Sequence, residues 1–300
     1  MTRQTMRERF YADVGPLLDA EPRTALVLAV IGSGSLGDVS ARHPERVIDV
    51  GIREQAMVGV AGGLALTGLR PIVHTYAPFL VERAYEQIKL DLGHQDVGAV
   101  LVSTGASYDA STAGRTHQAP ADVALVSALP GWTVHVPGHA DELTRMLRRA
   151  AGTDDRVYIR MSALQNTRAH PADGLLHLVR GGAHVRPLVL AVGPLLDTVL
   201  EATRDLPVRV AYTSTPHPLD TAGLRTLAGP APVLAVVEPY LEGTSAAAVA
   251  AALSDRASRV AYVGVPRDVE LRRYGSPKDH AAAHGLDAMG IRARAKELIG

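Results

Sequence analysis

The chain has 300 residues and a mass of 31.7 kDa, with 47% hydrophobic and 21% charged residues, a globular composition that excludes collagen, coiled coil and wholesale disorder. Because 31 Lys and Arg balance 31 Asp and Glu, nothing in the net charge favours nucleic acid or an anionic membrane. The absence of cysteine excludes thiolate nucleophiles, zinc fingers and disulfides. A charged start, MTRQTMRERF, and apolar runs shorter than the ~18 residues of a membrane span predict a cytoplasmic location.

Short apolar runs rich in β-branched residues alternate with helical patterns along the whole chain. The predicted strands are 25–31, 71–76, 97–103, 132–136 and 156–161, then 187–192, 208–212, 233–237 and 260–263. The predicted helices are 6–19, 54–67, 80–93, 141–151, 196–205 and 245–254. Several strands are unbroken Val/Ile/Leu runs, which suits strands covered on both faces. The alternation predicts an α/β protein with parallel or mixed sheets.

One stretch, 166–186, breaks this alternation and contains Pro171, Gly174 and two consecutive glycines at 181–182. It ends where a new strand pattern begins. We therefore predict two domains, residues 1–170 and 187–300, joined by a linker over residues 171–186.

A glycine-rich segment follows the first strand and reads Gly32-Ser-Gly34-Ser-Leu-Gly37, a match to G-x-G-x-x-G. Such a motif can hold the pyrophosphate of a dinucleotide at a helix N-terminus. Only eight residues, with Pro44 among them, separate Gly37 from the next strand pattern, whereas a crossover usually needs about 10–12. We interpret the segment as a flexible loop and keep a nicotinamide oxidoreductase as a distant alternative.

Two histidines four residues apart, His280 and His284, share one helix face. The glutamate of a zinc protease motif is missing and no third ligand is recognisable. Ser276 as N-cap, Pro277 at the first position and Gly285 after the last turn predict a short capped surface helix without metal.

A third group of residues is more informative because several parts agree. Glu54 opens a helix, 54–67, that is almost entirely small and apolar and is predicted to be buried all round. Tyr76 and Phe79 lie three residues apart at the next strand-to-helix turn, in a chain with only two phenylalanines. His117 follows in a polar, glycine-containing stretch. Single features of this kind usually reflect helix capping, core packing or a solvated loop, but turns after strands are also where active sites lie.

In this order, these motifs resemble the C-terminal section of transketolase, as found in split enzymes with two separate subunits. V-G-I-x-E-Q is present at residues 50–55, the aromatic turn at 76–79 followed by R-A-Y-E-Q at 83–87, and T-H-Q at 116–118. Beyond the linker, H-P-L-D at 217–220, G-V-P at 264–266, G-S-P at 275–277 and G-L-D-A-M-G-I at 285–291 match in register. Motifs in register over about 240 residues make chance a poor explanation for the match.

The resemblance implies two three-layer α/β/α domains, a pyrimidine-binding domain followed by a transketolase C-terminal domain, with thiamine diphosphate as cofactor. Glu54 matches the carboxylate that binds N1′ of the aminopyrimidine, and a charge-assisted bond is strong in a dry site. Tyr76 and Phe79 match the aromatics that stack on the ring. His117 matches the histidine facing the sugar, and Arg160 resembles the arginine that grips a sugar phosphate.

The family's motif for the diphosphate and Mg²⁺, G-D-G followed by an Asn, is absent from this sequence. The resemblance therefore implies a partner, an N-terminal transketolase subunit that holds the diphosphate and Mg²⁺, in an α2β2 heterotetramer. The predicted function is one subunit of a split, thiamine-dependent transketolase-like enzyme that transfers a two-carbon ketol unit between sugars or sugar phosphates.

Three departures concern the substrate: Val30, Gly105 and Ala113 stand where the family usually has an aspartate, a phosphate-contacting histidine and a second aspartate. Their loss predicts a shorter, less phosphorylated or otherwise unusual substrate. Three alternatives stay open: a decarboxylating enzyme similar to 1-deoxyxylulose 5-phosphate synthase, a 2-oxo acid dehydrogenase β subunit, and a catalytically silent partner subunit that keeps the pocket.

Overall fold

A computed structural model describes residues 4–182, 185 and 187–299. The strands are β1 Thr24–Leu28, β2 Val47–Asp49, β3 Arg70–Tyr76, β4 Val100–Thr104, β5 Trp132–His135, β6 Arg156–Arg160, β7 His177–Arg180, β8 Leu188–Val192, β9 Arg209–Thr213, β10 Val233–Leu241 and β11 Arg259–Val265. The helices are α1 Met6–Ala20, α2 Gly37–Arg42, α3 Glu54–Leu66, α4 Tyr85–Gln87, α5 Asp122–Ser127, α6 Ala140–Ala151, α7 Leu196–Ala202, α8 Thr221–Ala228, α9 Ala246–Ala252, α10 Pro277–Ala283 and α11 Ala288–Ile299. No helix in the described part of the chain is long and apolar enough to cross a membrane.

The first sheet has six strands in the order β2-β1-β3-β4-β6-β5, and every pairing is parallel. Strands β1 and β4 are buried along their whole length because helices cover both faces. One core cluster lies under α3 and α5, and a second lies under α1 and α6. This confirms the predicted three-layer α/β class for the first half of the chain.

The second sheet has the order β11-β10-β8-β9-β7. Its strands are parallel except β7, which pairs antiparallel with β9. Strand β7 lies within residues 171–186, the segment predicted to be a linker, so part of that segment belongs to the second sheet. The exact domain boundaries stay a prediction.

The glycine-rich segment after β1 differs from the flexible loop that we predicted. It forms a short 3-10 turn and then α2, and β2 pairs parallel with β1. The expectation that the segment is too short for a crossover was therefore wrong, because a six-residue helix suffices here. Asp49, the acidic residue that follows, accepts hydrogen bonds from the backbone N–H groups of Val30 and Gly51 and from the Ser33 hydroxyl. These contacts hold the segment together. They also occupy the carboxylate that would have to bind the ribose of a dinucleotide.

Helix α3 is buried on one face only, which corrects the prediction that it is buried all round. Glu54, Met57, Val58, Ala61 and Gly62 face the protein, whereas Leu66 is 60% exposed. Gly62 packs so closely on the segment after β3 that an added Cβ would lie 2.6 Å from the Asp91 carbonyl oxygen. The predicted helix 80–93 is instead two π-helical stretches, Pro78–Glu82 and Ile88–His94, that flank the single turn α4.

Buried polar side chains join the two halves of the chain. The Glu142 carboxylate is fully buried and accepts hydrogen bonds from Gly138 N–H (2.8 Å), His170 N–H (2.8 Å) and the Tyr212 hydroxyl (2.5 Å). Asn166 donates to the Gly193 carbonyl (3.0 Å) and accepts from a backbone N–H of α7 (3.2 Å). These bonds hold the second sheet against the first, because buried donors and acceptors are costly to leave unpaired.

Candidate active site

The residues proposed for chemistry lie at one edge of the first sheet. Glu54 follows β2, Tyr76 is the last residue of β3, and His117 lies in the loop after β4. Because the strands are parallel, their carboxyl ends share this edge, where open α/β sheets bind ligands. The order of strands along the chain thus brings together residues that are far apart in the sequence.

Glu54 is a buried carboxylate at the first turn of α3. It is 1% exposed, and its Oε2 accepts a hydrogen bond from Arg83 Nη1 at 2.6 Å. The preceding turn depends on Gly51, whose φ of +73° is strained for residues with a Cβ. The Arg83 side chain is 38% exposed, so the pair joins a buried carboxylate to a guanidinium group that is in contact with water. The role of Glu54 at an aminopyrimidine stays a prediction.

Three rings form a half-buried cluster next to this pair. The centroids of Phe79 and His117 are 5.0 Å apart, those of Tyr76 and His117 are 5.6 Å apart, and those of Tyr76 and Phe79 are 6.2 Å apart. All three pairs meet edge to face, a favourable arrangement for aromatic rings. The Arg83 guanidinium carbon lies 4.2 Å from the Phe79 centroid, so Arg83 connects the rings to Glu54.

The loop that carries His117 is held by the second half of the chain. Gly114 has a φ of +82°, and a Cβ added there would lie 2.7 Å from the Tyr274 ring. The Ser111 hydroxyl donates to the Gly275 carbonyl at 2.8 Å. The Thr116 hydroxyl lies 3.0 Å from His117 Nδ1. The segment around Tyr274 therefore fixes the loop three residues before His117.

Arg160 is placed differently from the other predicted residues. Its side chain is 1% exposed, and its Nε donates to Asp122 at 2.7 Å while its Nη2 donates to the Ser107 hydroxyl at 2.6 Å. The guanidinium also lies over the Tyr240 ring, 5.6 Å from the centroid. This geometry gives Arg160 a structural task between the two halves, and its role in binding a sugar phosphate stays a prediction.

A cavity of about 250 Å³, here named the Tyr76 cavity, adjoins the aromatic cluster. Arg7, Tyr76, Gly105 and Asp109 are among its lining residues. Gly105 has a φ of +72°, and a Cβ there would meet the Tyr76 ring at 2.6 Å. The Tyr76 ring therefore occupies the space into which a histidine at position 105 would project.

Arg7, on the wall of the Tyr76 cavity, starts a chain of polar contacts that runs into the core. Arg7 Nε donates to the Tyr11 hydroxyl (2.9 Å), which lies 3.3 Å from His74 Nε2. His74 Nδ1 lies 2.9 Å from the Val102 carbonyl, and burial lowers the pKa of His74 to about 4. His74 is therefore neutral at pH 7, and its Nδ1 donates to that carbonyl.

Sequence reasoning missed two residues of this site. Arg83 was noted only as part of a motif, and its pairing with Glu54 becomes visible only when the π-helical segment brings it back over α3. Tyr274 comes from the other half of the chain, and no local pattern predicts its contact with Gly114.

The histidine pair matches its prediction in part. Helix α10 has the Ser276 cap, with a capping box to Asp279. His280 is not on the surface, however, since it is 1% exposed and stacks on the Tyr108 ring with the centroids 5.9 Å apart and the planes inclined by 26°. Among the described residues, no group of three or more His, Cys, Asp or Glu side chains is placed to hold a metal ion.

Comparison with known proteins agrees with this geometry. Residues 5–167 match the sequence pattern of the transketolase pyrimidine-binding domain. The chain is 46% identical over 286 residues to an uncharacterized 33.6 kDa protein in the fasciation locus of Rhodococcoides fascians, covering 94% of this chain and 91% of that protein. It is 31% identical over 290 residues to the 1-deoxy-D-xylulose-5-phosphate synthase of Thioalkalivibrio sulfidiphilus, covering 94% of this chain and 45% of the synthase. The chain thus spans about half the length of that enzyme.

A split-gene transketolase, solved as an inactive β4 tetramer, superposes with a TM-score of 0.82 at 26% identity and covers 99% of this chain and 98% of that one. The whole chain is therefore built like one subunit of a divided enzyme. From its pyrimidine-binding domain, its relatives and its fold, this chain belongs to the transketolase family, as the C-terminal section.

Proposed function

We propose that this chain is one subunit of a split transketolase-like enzyme that uses thiamine diphosphate to transfer a two-carbon ketol unit between sugars or sugar phosphates. The observation that carries the proposal is the position of Glu54, a buried carboxylate joined through Arg83 to the half-buried cluster of three rings. A buried acid beside aromatic faces fits an aminopyrimidine, which needs a carboxylate at one ring nitrogen and apolar contacts on its faces.

Each residue of the cluster has a distinct task in this proposal. Glu54 holds the proton at N1′ of the aminopyrimidine, and Tyr76 and Phe79 bind the ring. When bound, thiamine diphosphate would supply the nucleophilic carbon for reaction with the ketose carbonyl. Arg83 orients the Glu54 carboxylate until the ring is in place, through the hydrogen bond at 2.6 Å. His117 exchanges protons with the substrate oxygens.

The diphosphate and Mg²⁺ need groups from a second chain in this proposal. The face of α3 that this chain leaves uncovered, which carries the exposed Leu66, would pack against that chain. The partner would be an N-terminal transketolase subunit, and two copies of each would form an α2β2 heterotetramer.

The substrate is proposed to lack the family's phosphate contacts at positions 105 and 160. Tyr76 fills the space next to Gly105, and the Arg160 guanidinium is engaged by Asp122, so neither position offers a free cation; the cation on the wall of the Tyr76 cavity is Arg7. A shorter or less phosphorylated ketose is the expected donor.

The test is reconstitution with a partner chain that carries the diphosphate motif, followed by assays with three donors. Hydroxypyruvate or a short ketose with an aldose acceptor should give ketol transfer that depends on thiamine diphosphate. Xylulose 5-phosphate and ribose 5-phosphate used as efficiently as by an ordinary transketolase would refute the substrate assignment.

A decarboxylating synthase is the second candidate, because relatives that carry this name are 30–33% identical to the chain. Release of CO₂ from pyruvate in the presence of an aldehyde acceptor, without ketol transfer, would favour this second candidate. Turnover in neither assay, with cofactor still bound, would favour the catalytically silent subunit instead.

A further inference from the structure

A second and larger cavity lies between the two halves of the chain, away from Glu54. This interdomain cavity measures about 450 Å³, within the range of small-molecule sites. Its walls come from the segments after β4 and β6 on one side, and from α7, α10 and the start of α11 on the other. The site therefore exists only because both halves pack together.

The walls are largely apolar. Leu195 and Leu286 are each only 2% exposed and line the cavity together with Ala106, Pro194, Pro239, Ala281 and Ala288. Burial of an apolar body against such walls supplies most of the binding free energy of a small ligand. The chemistry that selects the ligand must then come from the few charged residues present.

Those charges are mostly negative. The lining carboxylates are Asp109, Glu201 and Asp287, against the cations Lys278 and Arg160. The Arg160 charge is already balanced by Asp122 at 2.7 Å. Lys278 and Glu201 are both exposed, where water screens their charges, so the half-buried carboxylates Asp109 and Asp287 dominate the field in the cavity. A cation therefore meets a favourable field here and an anion does not.

Asp109 is the carboxylate best placed to bind that cation. It accepts hydrogen bonds from the Ala163 N–H at 2.8 Å and from the Ser162 hydroxyl at 3.4 Å. A carboxylate has about four acceptor sites, so capacity for an ammonium group remains. Burial raises the pKa of Asp109 to about 6, against the opposing effects of the Ala163 N–H and of the Arg160 charge, as expected for a carboxylate with little access to water.

We propose that the interdomain cavity is a binding site for a small organic cation, a primary amine on a compact apolar body, with Asp109 as its counter-ion. Asp109, Ser162 and Ala163 also line the Tyr76 cavity. An occupant of the interdomain cavity therefore touches the wall of the candidate active site, and binding there does not depend on the proposed transfer reaction.

The test is calorimetric titration of the full chain with three probes of one shape: phenethylamine, 2-phenylethanol and 3-phenylpropanoate. We expect the amine to bind at least tenfold more tightly than the alcohol or the anion. Asp109→Asn removes the charge, keeps one acceptor oxygen for the Ala163 N–H, and should bring the amine to within threefold of the alcohol. Asp268→Asn, at an exposed carboxylate outside this cavity, should leave the amine preference unchanged.

Ala281→Trp should weaken all three probes together, because the indole fills the cavity from α10. Thermal melts of each variant would show that the fold is retained. Equal binding of amine, alcohol and anion, an amine preference that survives Asp109→Asn, or no saturable binding by any probe would each overturn the proposal.

Discussion

Replacement of Glu54 by glutamine isolates one charge at the centre of the proposed site. The substituted amide would keep the size of the side chain and an oxygen that can accept from Arg83, which lies 2.6 Å away in the native pair. A charge-assisted hydrogen bond is worth ~1.5–3 kcal/mol and a neutral one ~0.5–1.5. Because Arg83 is 38% exposed and stays hydrated, the expected cost in folding free energy is only about 1 kcal/mol. That corresponds to a fall in Tm of a few degrees.

The effect on turnover should be much larger. A positioned proton-transfer group typically contributes about 10²–10⁴ in rate, and Glu54→Gln removes the acceptor of the N1′ proton. We expect kcat of the reconstituted enzyme to fall at least about 100-fold, measured as ketol transfer with saturating cofactor. Glu86→Gln is the matched control, since Glu86 is exposed on α4. Turnover of Glu54→Gln within about threefold of wild type would refute the assignment of this carboxylate.

Three further substitutions probe the fold around the site. Gly114→Ala should clash with the Tyr274 ring and strain a φ of +82°, so we expect a lower kcat and a loss of at most about 2 kcal/mol in the free energy of unfolding, measured by a thermal melt. Gly37→Ala, with open space around it, should change neither quantity. Equal kinetics for the two variants would exclude a positioning role for the contact between Gly114 and Tyr274. Val30 has a φ of +66°, so Val30→Asn should stabilise the chain by about 1 kcal/mol in chemical denaturation, and a lower midpoint would contradict the strain argument. Burial raises the pKa of Glu238 to about 7, above its unfolded value near 4.5, so the native state loses stability as pH rises from 4.5 through 7. Glu238→Gln should remove that loss, so the free energy of unfolding of the variant relative to wild type should grow by about 2–3 kcal/mol between pH 4.5 and pH 8. A difference in unfolding free energy that is independent of pH would contradict the raised pKa of Glu238.

Local patterns were sufficient wherever a residue's task depends on its neighbours in the chain. The apolar β-branched runs predicted both sheets, because strands covered on two faces need nothing polar. The Ser276 cap was predicted in the same way, since a capping box joins residues only three apart. Glu54 and Tyr76 were proposed as site residues at strand ends and His117 in the loop after a strand, and parallel strands align those ends at one edge.

The tertiary structure decided whatever depends on packing between distant segments. The role of Arg160 at a sugar phosphate stays a prediction, but its burial against Asp122 could not be read from the sequence, because the second half of the chain closes over β6 and shields the guanidinium from water. Helix α3 was expected to be buried all round, yet this chain covers only one face of it. The hold of Tyr274 on the His117 loop and the cavity around Asp109 arise from the contact of the two halves. The sequence by itself therefore determined the sheets, the caps and which side chains stand at the strand ends, since those depend on nearest neighbours. Which charged side chains are buried and which loops are fixed by contacts depends on segments far apart in the chain. Only the folded structure brings those segments together.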